Sequence, residues 1–420
     1  MASSQARLRR SRSLRATVVP ASAGFVAAVL TLSGCTTGVP LDPAPVPSIS
    51  APPASSPSAS SPPAAPPTNG ATPAQPAAPA SPAGPVQPEG EPRVVATELN
   101  LPWSLVRLDT GATLVSERDT AIVKEVSDAG VVRDVGLVNG VIPGGEGGLL
   151  GLTVWTEASD TPDAPPMRWL YAYLTSQIDN RVVRMPLLGA AGTHSLGAPE
   201  TILSGIPKAG NHNGGRIKFG PDGALYITAG DAGVRDSSQN LDELGGKILR
   251  VAADGSVPAD NPFPGSPVYS YGHRNPQGIA WDRDGNLWAS EFGQNTWDEL
   301  NLIEPGINYG WPVVEGIGSD SRFRNPVHQW STDEASPSGL LWTRDTLFLA
   351  ALRGERLWSI APTPEAVTTT SFFAGQFGRM RDVIEGPNDT LWILTNNTGR
   401  APRDGDDKIL EVRVGALNKG

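Results

Sequence analysis

Ala280-Trp-Asp-Arg-Asp-Gly-Asn-Leu-Trp-Ala-Ser290 reads as an apolar strand, a tight turn at Asp284-Gly285, and a second strand of alternating apolar residues. Asp-Gly between two such runs is the strongest short-range signal for a β-hairpin, because the turn needs backbone at positive φ. The theme recurs as Val106-Arg-Leu-Asp-Thr-Gly-Ala-Thr-Leu-Val-Ser116 and Lys218-Phe-Gly-Pro-Asp-Gly-Ala-Leu-Tyr-Ile-Thr228. Less regular copies are Leu340-Leu-Trp-Thr-Arg-Asp-Thr-Leu-Phe-Leu349 and Ile384-Glu-Gly-Pro-Asn-Asp-Thr-Leu-Trp-Ile393. A sixth, Leu152 to Leu174, has its hairpin lengthened by the insert Asp160 to Pro166. Strand units repeated every few tens of residues, six in all with Gly-rich links, predict an all-β, six-bladed β-propeller of four-stranded blades over residues 93–420. Trp288, Trp392, Tyr226 and Phe348 are then expected as packing between blades. A ligand site at the channel mouth would gather residues from many blades.

Ahead of the propeller the composition changes twice. Arg7, Arg9, Arg10, Arg12 and Arg15 precede an apolar run from Ala16 to Leu32 and then Leu32-Ser33-Gly34-Cys35, the order of an export signal. A small-residue tripeptide ending in cysteine resembles the lipobox of bacterial lipoproteins, which implies a signal peptide over 1–35 and lipidation at Cys35. The alternatives are an ordinary cleaved signal or a retained membrane anchor. Residues 36–92 are almost entirely Pro, Ala and Ser, too poor in large apolar side chains to offset their ordering entropy, so a disordered tether is expected there. Cys35 is the only cysteine, which excludes an internal disulfide. The chain has 33 Lys and Arg against 43 Asp and Glu; without the five leader arginines 28 face 43, a net charge of -15. So acidic a surface argues against nucleic acid as a partner.

Three polar clusters fall outside the hairpins. Asn211-His-Asn-Gly-Gly-Arg216 surrounds one of four histidines with small polar residues and glycine, where a core histidine would have apolar neighbours. Imidazole is the side chain best suited to take a proton from an alcohol near neutral pH, so His212 is a candidate base; His273 and His328 lack that setting and are read as structural. Tyr271-Gly-His-Arg-Asn-Pro-Gln-Gly278 sets a guanidinium and an amide side by side on a segment stiffened by Pro276, and reads as a rigid loop presenting donors. Arg379 and Arg381, two apart, leave the same face of extended backbone, with Asp382 on the other, and repel unless an anion sits between them. Glu291 to Pro312 is dense in oxygen donors and Gly turns, a setting that hard cations such as calcium use, though it has no regular calcium-loop spacing.

Together these clusters resemble the soluble pyrroloquinoline quinone (PQQ) dependent glucose dehydrogenases and aldose sugar dehydrogenases, the glucose/sorbosone dehydrogenase family. The most specific pieces are 271–278, Asn308-Tyr-Gly-Trp-Pro312, Gly147-Gly-Leu-Leu-Gly151 and Arg379-Met-Arg-Asp-Val-Ile384. The resemblance implies an exported sugar dehydrogenase with PQQ and calcium as cofactors, an unidentified electron acceptor, and a lipid anchor at the outer face of the cytoplasmic membrane. By it His212 matches the catalytic base, Arg274 and Asn275 the residues that polarise the quinone oxygens, Arg379 and Arg381 the carboxylate binders, and the Gly293 and Gln294 carbonyls the calcium ligands. Three positions depart from the family. Glu146 stands beside the cofactor where a glutamine is usual, Asn211 replaces an aspartate before the base, and Leu352 falls where a lysine would bind the cofactor, with Arg353 next to it. These departures keep two other readings open: a non-catalytic envelope propeller that has lost PQQ, and a calcium-dependent lactonase, which would need a side-chain metal cage at the channel axis.

Overall fold

The structure is a computed structural model, and it describes residues 84–157, 166–362, 367–400 and 406–417. Six antiparallel sheets form the blades of a propeller, each with a four-stranded path. The six repeats of the sequence are the first hairpin of each blade. Their first strands are Pro102–Arg107, Leu149–Glu157, Ile217–Phe219, Pro276–Trp281, Pro337–Thr343 and Met380–Glu385, and each pairs with the strand that follows it. In the irregular copies, where glycine is missing, the two turn residues take the positive φ themselves: Arg344 and Asp345 at 46° and 56°, Asn388 and Asp389 at 53° and 60°. Residues 158–165, which hold all of the insert Asp160 to Pro166 but its last residue, lie outside the described residues, as do the leader and the tether up to residue 83.

The ring closes in a way the composition concealed. Val86–Ala96 pairs with Ile409–Ala416 and supplies the outermost strand of the last blade, so the propeller begins at Val86 rather than at the expected boundary of 93. The stretch Val86-Gln-Pro-Glu-Gly-Glu-Pro reads as tether because of its prolines and glycine. An outermost strand tolerates both, since one edge needs no partner for its N–H groups, and the pairing register slips between Glu89 and Arg93. Val86 itself is fully buried, and its N–H donates to Thr346 Oγ1 at 2.9 Å.

The aromatic residues of the second strands pack between blades as expected. Tyr226 meets Trp281 of the next blade edge-on at 5.0 Å, Trp288 lies with Leu340 and Leu347, Phe348 with Val383 and Leu391, and Trp392 with Leu105 and Val115. This packing fixes where the connections fall. Segments entering a first strand and leaving a second strand gather at one mouth of the channel, and the hairpin turns gather at the other.

Candidate active site

The first mouth holds a cavity of about 740 Å³. It is lined by segments entering first strands (Glu146, Asn211, His212, Arg274, Asn275, Arg379) and by segments leaving second strands (Arg118, Gly293, Gln294, Leu352, Arg353, Arg400). Arg381 reaches it from within its strand. Every cofactor and catalytic residue expected from the sequence therefore lines one space, although the residues come from five blades.

His212 sits at the head of the third blade with its backbone in the left-handed region at φ 55°. Glu146 holds that conformation, since one of its carboxylate oxygens accepts the His212 N–H at 2.9 Å. Glu146 is thus a clamp on the His212 loop as well as a lining residue. The imidazole Nδ1 lies 2.7 Å from Asp231 Oδ1, which leaves Nε2 as the nitrogen free to act. Asp231 is fully buried and also accepts from Gly233 N at 2.8 Å and Trp311 Nε1 at 2.9 Å. Burial raises its pKa, but these donors, His212 foremost, outweigh burial and hold it below the usual carboxylate value. The sequence reading missed Asp231. It stands in Ala229-Gly-Asp-Ala-Gly233, past the end of the neighbouring strand, and no spacing rule ties it to His212.

The segment 271–278 is less of a loop than expected. Val268–Tyr271 and Pro276–Trp281 are strands, and only residues 272–275 bridge two blades. Glu291 anchors that bridge: its carboxylate accepts from the Arg274 and Asn275 N–H groups and from His273 Nδ1. His273 is fully buried and stacked on Tyr309, a structural role as expected. Asn275 uses Oδ1 to accept the Gly214 N–H at 3.0 Å, which ties it to the loop of His212 and leaves its amide nitrogen as the group it can offer to the cavity. Arg274 donates to Phe292 O at 3.2 Å, lies 5.4 Å from the Trp311 ring centroid, and has a buried Nε with no partner. Burial lowers its pKa against the pull of Asp231, Glu291, Glu315 and Glu146.

Arg381 is 7% exposed and among the described residues meets only neutral acceptors: Gln277 Oε1 at 2.8 Å, Ser338 Oγ at 3.3 Å and Asn396 Oδ1 at 3.4 Å. Its pKa is pushed down to about 9, by burial first and then by Arg379, which leaves the guanidinium charged at neutral pH. The Arg379 side chain makes no hydrogen bond to the described residues, and its Nε is buried without a partner. Burial and Arg400 lower its pKa. Asp382 points away, as the alternation requires, and pairs with Arg216 at 2.7 Å. A buried and a half-buried guanidinium, neither with a carboxylate hydrogen-bonded to it among the described residues, fit a ligand carrying several carboxylates. Arg353, next to Leu352, pairs with Asp333 and is largely exposed, while Arg118 and Arg400, which the sequence reading did not single out, bring further positive charge to the lining.

The stretch that reads as cation-binding is also partly strand, since Glu291 ends one strand and Trp297–Ile303 forms the next. In the turn between them, the Gly293 N–H donates to Asp298 and those of Gln294, Asn295, Thr296 and Trp297 all donate to Glu315 Oε1. The Gly293 and Gln294 carbonyls accept no backbone hydrogen bond among the described residues, so they remain available to a hard cation. Among the described residues, no three His, Cys, Asp or Glu side chains converge to hold a metal.

Fold and cavity together define a six-bladed propeller with a polar ligand site at one mouth of its channel. The chain belongs to the glucose/sorbosone dehydrogenase family, whose sequence profile matches residues 99–403. The PQQ-bound form of aldose sugar dehydrogenase from Streptomyces coelicolor is 50% identical, with a TM-score of 0.72 over 80% of this chain and all of its own. The aldose sugar dehydrogenase YliI of Escherichia coli K12 is 29% identical over 346 residues, 73% of this chain and 90% of its own. The quinoprotein glucose dehydrogenase B of Acinetobacter calcoaceticus is 32% identical over 266 residues, 55% of this chain and 54% of its own.

Proposed function

We propose that the protein oxidises aldose sugars or related alcohols with PQQ and calcium, and passes the electrons to a separate acceptor. The observation that carries this reading is the pair Arg379, half-buried with its Nε enclosed, and Arg381, fully enclosed, neither with a carboxylate partner among the described residues, across one cavity from the His212–Asp231 pair. PQQ is a planar tricarboxylic quinone, and the lining matches it in charge. When bound, it supplies the acceptor for the hydride that leaves the anomeric carbon.

The chain's own residues do the rest. His212 Nε2 takes the proton from the anomeric hydroxyl. Asp231 keeps Nδ1 protonated, so Nε2 carries the lone pair, and its charge stabilises the imidazolium that forms. Arg274 and the Asn275 amide donate toward oxygen atoms on which negative charge grows, and they are fixed in advance by Phe292, Gly214 and Glu291. Arg379 and Arg381 hold the cofactor carboxylates. The Gly293 and Gln294 carbonyls hold calcium; as backbone donors they place no demand on side chains. The lipobox supports a further part of the proposal, that Cys35 carries a lipid anchor and the propeller works at the outer face of the cytoplasmic membrane.

Reconstitution tests the reading. Protein from Thr36 onward, mixed with calcium and PQQ, should give a bound-quinone absorbance and reduce an artificial dye with an aldose. Neither signal with any aldose tried would leave the non-catalytic propeller as the better account. Lactone hydrolysis without quinone would favour the lactonase.

A further inference from the structure

The opposite mouth of the channel holds a second cavity, of about 450 Å³, that shares no lining residue with the first. A polar plug separates the two. Arg216 bonds Asp382 at 2.7 Å, Ser104 Oγ at 3.1 Å and Gln277 O at 2.9 Å, and Arg381 caps the plug from the other side through Gln277 Oε1. The far halves of the first strands line the cavity, and most of what they present is apolar: Leu105, Leu152, Ile279, Leu341 and Ile384 among them.

Lys218 breaks that pattern. It occupies the place in the repeat that Val106 and Ala280 fill in other blades, and so puts an amine where those blades carry an aliphatic side chain. Its Nζ has no hydrogen bond or ion pair among the described residues. The two acids nearby are engaged elsewhere. Asp382 accepts from Arg216, the Leu105 N–H and the Val383 N–H, and Glu385 accepts from the Thr343 hydroxyl. At the rim, Arg107 is paired with Asp128 and Asp109 with Arg168. Burial lowers the Lys218 pKa, and Asp382 offsets that only in part because Arg216 adds its own positive charge. A partly buried cation without a partner among the described residues, in the wall of a largely apolar cavity, is stabilised by an incoming anion.

We propose that this cavity is a second ligand site, and that it binds a small amphipathic anion: a carboxylate or sulfonate on an apolar body, with the charge on Lys218 and the body against the strand walls. Of the three carboxylates that line the cavity, Asp109 and Asp382 are paired with arginines and Glu385 has no cationic partner among the described residues, so its removal must strengthen binding. That sign distinguishes an anion site from generic apolar adsorption.

The test uses PQQ-loaded protein, or the apo-protein if it does not take up PQQ, so the result does not depend on the quinone reading. Titration with 8-anilinonaphthalene-1-sulfonate should give saturable fluorescence with one site, displaced by octanoate and untouched by excess PQQ. Lys218→Met should weaken the probe about tenfold, roughly the worth of one charge-assisted contact, and Glu385→Gln should tighten it, with dye reduction unchanged in both. Thermal melts confirm that each variant is folded. Equal affinity in wild type and both variants, displacement by PQQ, or no saturable binding at all would overturn the proposal.

Discussion

Replacement of Asp231 by Asn isolates the work of the carboxylate behind the base. The side chain is fully buried, so the isosteric amide keeps the packing and still accepts from one of Gly233 N or Trp311 Nε1. What changes is the 2.7 Å contact to His212 Nδ1. An amide nitrogen placed there donates, Nδ1 becomes the acceptor, and the proton moves to Nε2, the atom that must be bare. Loss of a correctly poised base costs roughly a hundred- to ten-thousand-fold, so kcat for aldose oxidation should fall about a thousand-fold. PQQ affinity should hold within a few-fold, because Asp231 does not line the cavity. Stopped-flow dye reduction at saturating sugar, alongside PQQ titration by absorbance, separates the two quantities. A kcat within tenfold of wild type with PQQ bound would refute the assignment of Nε2 as base and of Asp231 as its orienting group.

Three other outcomes follow from the same structure. Arg381→Ala should weaken PQQ by about 1.5 to 3 kcal/mol, the worth of a charge-assisted hydrogen bond, while the apo-protein melts no lower, because a desolvated cation has gone; an unchanged PQQ-induced melting shift would make Arg381 purely structural. Asp298 is 1% exposed and its pKa is pushed up to about 6, by burial first, against the N–H groups of Ser336 and Gly293 and the charge of Arg274. With a higher pKa folded than unfolded it binds more protons when folded, so its contribution to stability falls as pH rises from about 4 to about 6, and apo wild type should lose about 2 kcal/mol more than Asp298→Asn between pH 4.5 and 7 in urea unfolding; parallel curves would contradict this. Cys35→Ala should move the protein from membranes to the soluble pool with the melting temperature unchanged, and a variant that resists carbonate washing would show a retained anchor instead.

The hairpin repeats made the blades legible because a turn at positive φ between alternating strands is a local code, written within about ten residues. Val86–Ala96 escaped because an outermost strand is specified by its partner, Ile409–Ala416, and not by its own composition. The site divides the same way. His212, Arg274, Asn275, Arg379 and Arg381 announce themselves as polar residues packed between glycines or crowded with like charge. Asp231 meets His212 through the pairing of the third blade's first two strands, which no local spacing rule marks, and Arg118 and Arg400 join only through the closure of the ring. Glu146 was legible as a cavity residue, but its bond to the His212 N–H depends on a loop conformation that sequence does not record. The second cavity was hidden most completely, since Lys218 reads as an ordinary charged residue beside a turn until the strands around it prove apolar.

Titration of PQQ into the apo-protein with calcium present, followed by absorbance and then by dye reduction on adding an aldose, tests the central claim most directly. Saturation at one PQQ per chain, with sugar-dependent turnover that disappears in His212→Gln while the quinone stays bound, is the predicted result. No saturable PQQ binding by a folded propeller would contradict it.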